Sequence, residues 1–487
     1  MSLIAKRKLI WIYALGLLSI VFNCFILLKH NNYFLYSSFL PFIVLCILLA
    51  FFSIDMLAML AVFCTPLAIN FNDMDVRLGL SLPTEPILIA IMFLFLLKQF
   101  YNPTYDIKII RHPVTLAIIF NLVWIALTSI TSEMPIVSLK FLVSRLWFVT
   151  VFYFLFVFIF KKISLIKQFA WLYIIPLTII IIYTLITHAQ LGFDEKSANW
   201  VVSPFYNDHT AYGAALAMFI PVLIGFIFYK NYNNYIRSFA FILTLLFLIA
   251  TVFSYTRAAW VSLAVAAVVM LLLYSGIKFR TMLFGGIVFG CFFFFVKTDI
   301  VMSLERNRQD ASDNFIKHVQ SISNISSDAS NLERLNRWNC ALKMFSERPW
   351  FGWGPGTYSF QYAPFQESKD KTIISTNLAT GGNAHSEYLG PLSESGLLGM
   401  LSFVAIMLCV VATGFKVYYE SKSKEIKLIS ATVLLGLITY FVHGGLNNFL
   451  DTDKLSCPFW GFSAILVAFD LYHNKNKEEE SVKLAAE

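Results

Sequence analysis

The chain has 487 residues, of which 58% are hydrophobic and only 14% charged, with 49 Phe and 22 Tyr. A soluble domain carries roughly 25% charged residues, so a soluble globular protein is excluded. The net charge of +8 belongs to loop Lys and Arg, as the chain order below shows, and argues for no nucleic-acid partner.

Apolar runs long enough to cross a bilayer recur from end to end. About 14 candidate spans lie near 8–28, 33–52, 54–70, 83–100, 114–131, 137–160, 166–188, 209–229, 236–254, 257–275, 279–297, 393–415, 427–446 and 458–472. Lipid offers backbone groups no hydrogen bonds, so these runs must be helices, and they are too long and evenly apolar for a barrel. The expectation is an all-α polytopic membrane protein with about 12–14 transmembrane helices. The first run lacks a small-residue cleavage site and reads as a retained anchor.

Charge orients the bundle. With Lys6, Arg7 and Lys8 inside, alternate loops hold about 20 Lys and Arg, the positive-inside pattern. The short outer connections hold about five, Lys29, Arg77, Lys196, Arg257 and Lys454. Both termini are then cytoplasmic. Four segments result: 1–297 with about 11 spans, a large outer loop over 298–392, C-terminal spans over 393–472, and a tail over 473–487.

Ionisable groups within spans are expensive and mark function or ion pairing. Arg145, about nine residues into its span, reads either as an ion-paired structural residue or as an anion site. The outer segment 199–212, NWVVSPFYNDHTAY, sets Asn207, Asp208 and His209 beside Phe205 and Tyr206, a mixture of amide and aromatic groups suited to sugars. Arg257 follows Tyr255 and Thr256 at the outer end of a span. It is an interface anchor or an anion contact.

In the large loop, residues 305–330 are polar and Ser/Asn-rich. An orderly helix is expected next. Ser330 and Glu333 have capping-box spacing, and Leu332, Leu335, Trp338, Leu342 and Phe345 share one helical face. Pro349 should stop this helix, with Gly352, Gly354 and Gly356 turning among Trp350, Phe351 and Trp353. Such a helix suits a membrane interface or packing on other loops. Its Arg334 and Arg337 add two guanidinium groups, whose forks match phosphate oxygens. They are phosphate contacts or a solvated face.

The stretch NAHSEYLGPLSESGLLGM closes the loop. His385 is the residue here with an ordinary pKa near neutrality, as a general base requires. Glu387 is either a helix-start carboxylate or a partner of the site, and Glu394 a buried polar tie. Seven Cys show no metal-ligand spacing, and Cys340 and Cys457 both fall on the outer side. No Walker motif or dinucleotide glycine fingerprint is present, so neither metal nor cofactor is expected.

These residues carry a resemblance. His385-Ser386-x-x-Leu389 followed by Gly396 resembles the His motif of the O-antigen ligase and polymerase superfamily. RLNRWNCALKMFSERPWFGWGPGTY is similar to that family's Arg…Trp…Pro-x-x-Gly-x-Gly segment. SYTRAAW and SPFYNDHTAYGAAL resemble its Ser-x-Thr-Arg and Pro-Phe-x-Asn segments. His209 departs from the pattern, standing near where many relatives carry Asn.

The resemblance implies a GT-C-like glycosyltransferase of the bacterial inner membrane, with its active site in a periplasmic loop. Its donor would be an undecaprenyl-diphosphate-linked glycan and its acceptor lipid A–core oligosaccharide, or another lipid-linked repeat in a polymerase. His385 would be the catalytic base. Arg257 and Arg145 would bind diphosphate, assisted by Arg334 or Arg337, with Asn207, His209, Tyr255 and Glu387 as substrate contacts. A lipid-linked glycan transporter would instead show helix breaks at matching places in two halves, and Pro41, Pro176 and Pro221 form no such pair.

Overall fold

The structure, a computed structural model, describes residues 31–70, 81–103, 105–286, 329–367 and 382–473. Among these, ten helices are long and apolar enough to cross a membrane. They are α3 (Thr84–Tyr101), α4 (Pro113–Ile130), α5 (Pro135–Ile159), α6 (Ile163–Gln190), α7 (His209–Phe228), α8 (Asn234–Phe253), α9 (Arg257–Tyr274), α11 (Leu389–Glu420), α12 (Lys424–His443) and α13 (Asp453–His473). Two further apolar helices, α1 (Asn31–Phe52) and α2 (Ile54–Leu67), precede them. The loop helix is α10 (Ala329–Glu347). The chain is an all-α polytopic membrane protein. The span expected at 8–28 lies outside the described residues, as does most of the one at 279–297.

Depth of burial separates the helices. In α12 and α13, 83% of the most apolar window is buried, and 78% in α7, against 33–39% in α3, α4, α8 and α9. The first three are therefore the centre and the others face lipid. Helix α7 packs on α8 and α12, α12 on α9, α11 on α4 and α12, and α10 on α11. Within α6 the two apolar environments divide one helix: Tyr173, Leu177, Ile180 and Thr184 are buried, while Ile175, Ile179, Ile182 and Ile186 are exposed. Both faces are apolar because lipid and protein core demand the same side chains.

The last span begins earlier than hydropathy places it, at Asp453 rather than 458. Lys454, expected in an outer connection, is buried. Its ammonium donates to the carbonyls of Thr65, Pro66 and Ala68 at 2.9, 3.2 and 2.6 Å. These carbonyls lie at the C-terminal end of α2, where intrahelical donors run out and the helix dipole also favours a cation. Cys457, one turn on, is a free buried thiol.

The large loop is attached through a break in α11. Gly396 has φ 71° and ψ −169°, which kinks the helix and removes intrahelical partners from its neighbours. The turn after α10 replaces them. Trp353 and Gly354 donate to the carbonyls of Ser393 and Glu394 at 3.1 and 2.8 Å, and Leu397 donates to Pro349 at 2.9 Å. The approach is too close for side chains. A Cβ at Gly352 (φ +67°) would overlap the Glu394 backbone, and one at Gly396 the carbonyl of Trp350.

Gly352→Ala should therefore cost about 1–3 kcal/mol through its left-handed backbone alone, with the overlap added. Thermal unfolding in detergent, followed by fluorescence-detected size exclusion, should show a midpoint several degrees below wild type. Gly285→Ala, which meets open space, should leave it unchanged.

Candidate functional site

Helix α10 stops before Pro349 as expected, but it buries a different face. The inward stripe is Glu333, Asn336, Arg337, Cys340, Ala341 and Met344, while Leu342 of the expected apolar stripe is 46% exposed. A polar stripe is buried because its groups have partners. Arg337 Nε donates to Glu333 Oε1 at 2.6 Å, and its guanidinium lies 4.1 Å from the Tyr362 ring centroid. Tyr358 in turn donates its hydroxyl to the Arg337 carbonyl at 2.7 Å. The glycine at 382 lies against the same guanidinium, where a Cβ would overlap Nη1. Glu333, read as a capping residue, is thus spent on Arg337.

His385 follows in a short irregular segment. Its φ is +47°, a conformation uncommon outside glycine. The Asn383 side chain holds it by accepting the His385 N–H at 3.0 Å. Ser386 Oγ then accepts from the N–H groups of Tyr388 and Leu389 at 3.2 and 3.3 Å, capping α11.

The imidazole is held well below its ordinary pKa, at about 4, first by burial and then by the fields of Arg334 and Arg337. Asp208 and a hydrogen bond with the Asn447 side chain act the other way. At pH 7 the ring is neutral and its lone pair available.

Asp208 caps α7, accepting from Thr210 N–H at 2.8 Å and Thr210 Oγ1 at 2.6 Å, and meets His209 Nδ1 at 3.1 Å. Burial opposes its ionisation, yet the hydrogen bonds from His209 and Thr210 hold it below the usual carboxylate range. Beside it, Thr256 Oγ1 donates to the His209 carbonyl at 3.1 Å. That contact places Arg257, the first residue of α9, next to the start of α7. His385, Arg334, Arg337, His209 and Arg257 therefore stand at the same end of the bundle. Asn207 is exposed there. Tyr255 is committed elsewhere, its hydroxyl donating to the Phe193 carbonyl at 2.8 Å.

Arg145 lines a cavity of about 320 Å³ with Lys140, Glu85, Glu387, Glu394 and Asp451, and Asn383, Ala384 and Ser386, on either side of His385, border the same cavity. Asp451 is raised to about 6, mainly by burial and then by Glu387, with Arg145 pulling the other way. Glu394 accepts the Tyr358 N–H at 2.9 Å, the polar tie expected of it.

Glu387 borders the same cavity, but one oxygen is already engaged. Oε1 accepts from Tyr440 Oη at 2.6 Å and from the N–H groups of Phe449 and Leu450 at 2.8 and 2.9 Å. Its own N–H donates to the Gly444 carbonyl at 2.8 Å.

Residues 242–404 match the family model described as O-antigen ligase. This segment belongs to the O-antigen ligase superfamily. The matched stretch contains Tyr255, Arg257, Arg334, Arg337, His385, Glu387 and Gly396, and the match supports O-antigen ligase- or polymerase-type activity in general terms. No curated protein matches the chain. Arg145, Asn207 and His209 lie outside the matched stretch.

Sequence reading missed His443 and Asn447, which reach the O-antigen ligase segment from the α12–α13 connection. The signal was the polar run HGGLNN between two spans. A hydropathy window ending at 446 absorbed its first four residues, His443 included.

Glu387→Ala would strip an acceptor from three buried donors, each costing about 1–3 kcal/mol when left unsatisfied. It should lower the thermal midpoint sharply. Glu367→Ala, which removes a half-exposed bridge to Lys343, should barely move it.

Proposed function

We propose that this protein transfers a glycan from undecaprenyl diphosphate to a hydroxyl of lipid A–core oligosaccharide, with His385 as general base. The observation that carries this reading is the neutral His385 imidazole beside Arg334 and Arg337, inside the stretch that matches O-antigen ligase. The protein resides in the bacterial inner membrane with both termini cytoplasmic, and the site faces the periplasm. The distribution of Lys and Arg between alternate loops supports this orientation.

The chemistry follows from the charges. An acceptor hydroxyl oxygen attacks the anomeric carbon as its proton passes to an imidazole nitrogen. The bond from that carbon to the diphosphate oxygen breaks, and polyprenyl diphosphate leaves with the electron pair. Direct attack inverts the anomeric configuration. Fixed cations lower the barrier by meeting the charge that develops on the leaving group. Arg257, Arg334 and Arg337 fill that role, Arg257 at the N-terminus of α9, where the helix dipole adds to its charge. Arg145, on the cavity that Asn383 and Ser386 also border, binds the diphosphate with these three arginines. The glycosyl–diphosphate bond that breaks, with a good leaving group, supplies the driving force.

The donor also tunes the base. Burial and then the two arginines depress the imidazole. A bound diphosphate neutralises the arginine fields and returns His385 toward its ordinary value. The base needs its neutral form, so activity falls as pH drops through its pKa. The acid limb of kcat/KM, which reports the free protein, should lie near pH 4. That of kcat, which reports the complex, should lie higher. Coincident limbs would place the donor charge away from Arg334 and Arg337.

The direct test uses purified protein with undecaprenyl-diphosphate-linked glycan, with and without lipid A–core, the products resolved by size. Glycan should appear on lipid A–core only when that acceptor is present, and His385→Ala should reduce the rate by about 10²–10⁴. Donor chains that lengthen without lipid A–core would make the protein a polymerase. Undiminished transfer by folded His385→Ala would remove the base assignment.

A further inference from the structure

The turn after α10 has its ends and its tip at different heights. Its ends are tied to the α4–α5 connection. Arg348 pairs with Glu133, and its guanidinium lies 4.2 Å from the Trp353 ring centroid. The Trp353 carbonyl accepts the Glu133 N–H at 3.1 Å. The tip, Pro349 to Gly352, reaches further down. There the Phe351 ring stacks on Trp124, with centroids 5.7 Å apart and planes at 14°. Trp124 stands six residues before Ile130, the end of α4, which is about 9 Å along a helix. Helix α11 gives the same answer. Pro349 accepts from Leu397, eight residues in from Leu389, or about 12 Å. Two spans therefore place the tip below their own outer ends.

What the tip presents at that depth is apolar. Trp350 is 66% exposed and Phe351 48%. Beside them Val123 and Leu127 of α4 are exposed, as is Leu401 of α11, one turn on from Leu397. The charged residues, Arg348 and Glu133, stay at the ends of the turn. The backbone suits hydrocarbon as well, where irregular chain is tolerated only if protein covers it. Pro349 has no N–H, and Leu397 takes its carbonyl. Gly352 donates back to the Arg348 carbonyl at 3.1 Å, and the turn is pressed on the break at Gly396. Side chains, not backbone, face outward.

We propose that this turn is a wedge inserted into the outer leaflet. Trp350 sits at the boundary of headgroups and acyl chains, where amphipathic rings are favoured. Phe351 lies against the acyl chains beside α4. The occupant of the patch is lipid because the patch continues the lipid-facing stripe of α4, at the depth of that stripe. Helix α10 ends in the wedge. Insertion therefore fixes the height of the helix that carries Arg334 and Arg337 against the lipid surface. The wedge depends on no particular donor or acceptor.

The test uses full-length protein in nanodiscs with one nitroxide at a time, on Trp350→Cys, Phe351→Cys, Val123→Cys or Glu347→Cys. Unsubstituted protein treated in parallel supplies the background from native thiols. Relaxation by oxygen, which partitions into acyl chains, is compared with relaxation by a water-soluble nickel chelate. The oxygen-to-chelate ratio at Trp350→Cys and Phe351→Cys should exceed that at Glu347→Cys, an exposed position on α10, and approach that at Val123→Cys. Should Phe351→Cys lose its stacking and misfold, Trp350→Cys decides, because its ring is the more exposed. A ratio at position 350 no higher than at 347 puts the tip in water and overturns the proposal. Shielding from both reagents overturns it too, and gives the patch to a protein partner or a second copy of the chain.

Discussion

A break in a helix that crosses a membrane exposes backbone groups that lipid cannot satisfy. The rest of this site depends on how one such break is closed. The kink at Gly396 is filled by backbone from the turn over 349–356, residue against residue, with glycines where side chains would collide. That junction orders the end of α10 against α11. From it follows the placement of Arg334 and Arg337 beside the His385 segment, which enters the same helix from its N-terminal side.

A second seam works on the same principle. The carboxylate and N–H of Glu387 gather the Tyr440 hydroxyl and the backbone of the α12–α13 connection. Three parts of the chain far apart in sequence, α10, the His385 segment and the α12–α13 loop, thus meet. Charge is sorted as well. Cations gather with His385, while carboxylates line the cavity that holds Arg145.

Much of this was legible in the residue order. The spans were, because hydropathy summed along a chain is what membrane insertion itself responds to. The stop at Pro349 and the glycine turn were legible because they are local backbone preferences. So was His385, by residue type and motif. The buried face of α10 was not: the apolar stripe through Leu342 suited a membrane interface or other loops alike, and Glu333 and Arg337 go inside because they pair with each other. The carboxylates around Arg145 were not legible either, because depth along a span says nothing about which helices stand opposite. His443 was hidden within an apolar window, and Asn447 lies just past its end.

By itself, then, the sequence determined that the chain crosses a membrane many times as helices, where those helices lie, and which residue types could do acid–base and phosphate chemistry. Periodicity, hydropathy and turn chemistry are one-dimensional, so they can be read in order. The tertiary structure alone decided which of those residues share a site. In a membrane the faces toward lipid and toward protein are equally apolar. Apolar pattern cannot choose between them, and the choice falls to close backbone contacts and paired polar groups contributed by distant parts of the chain.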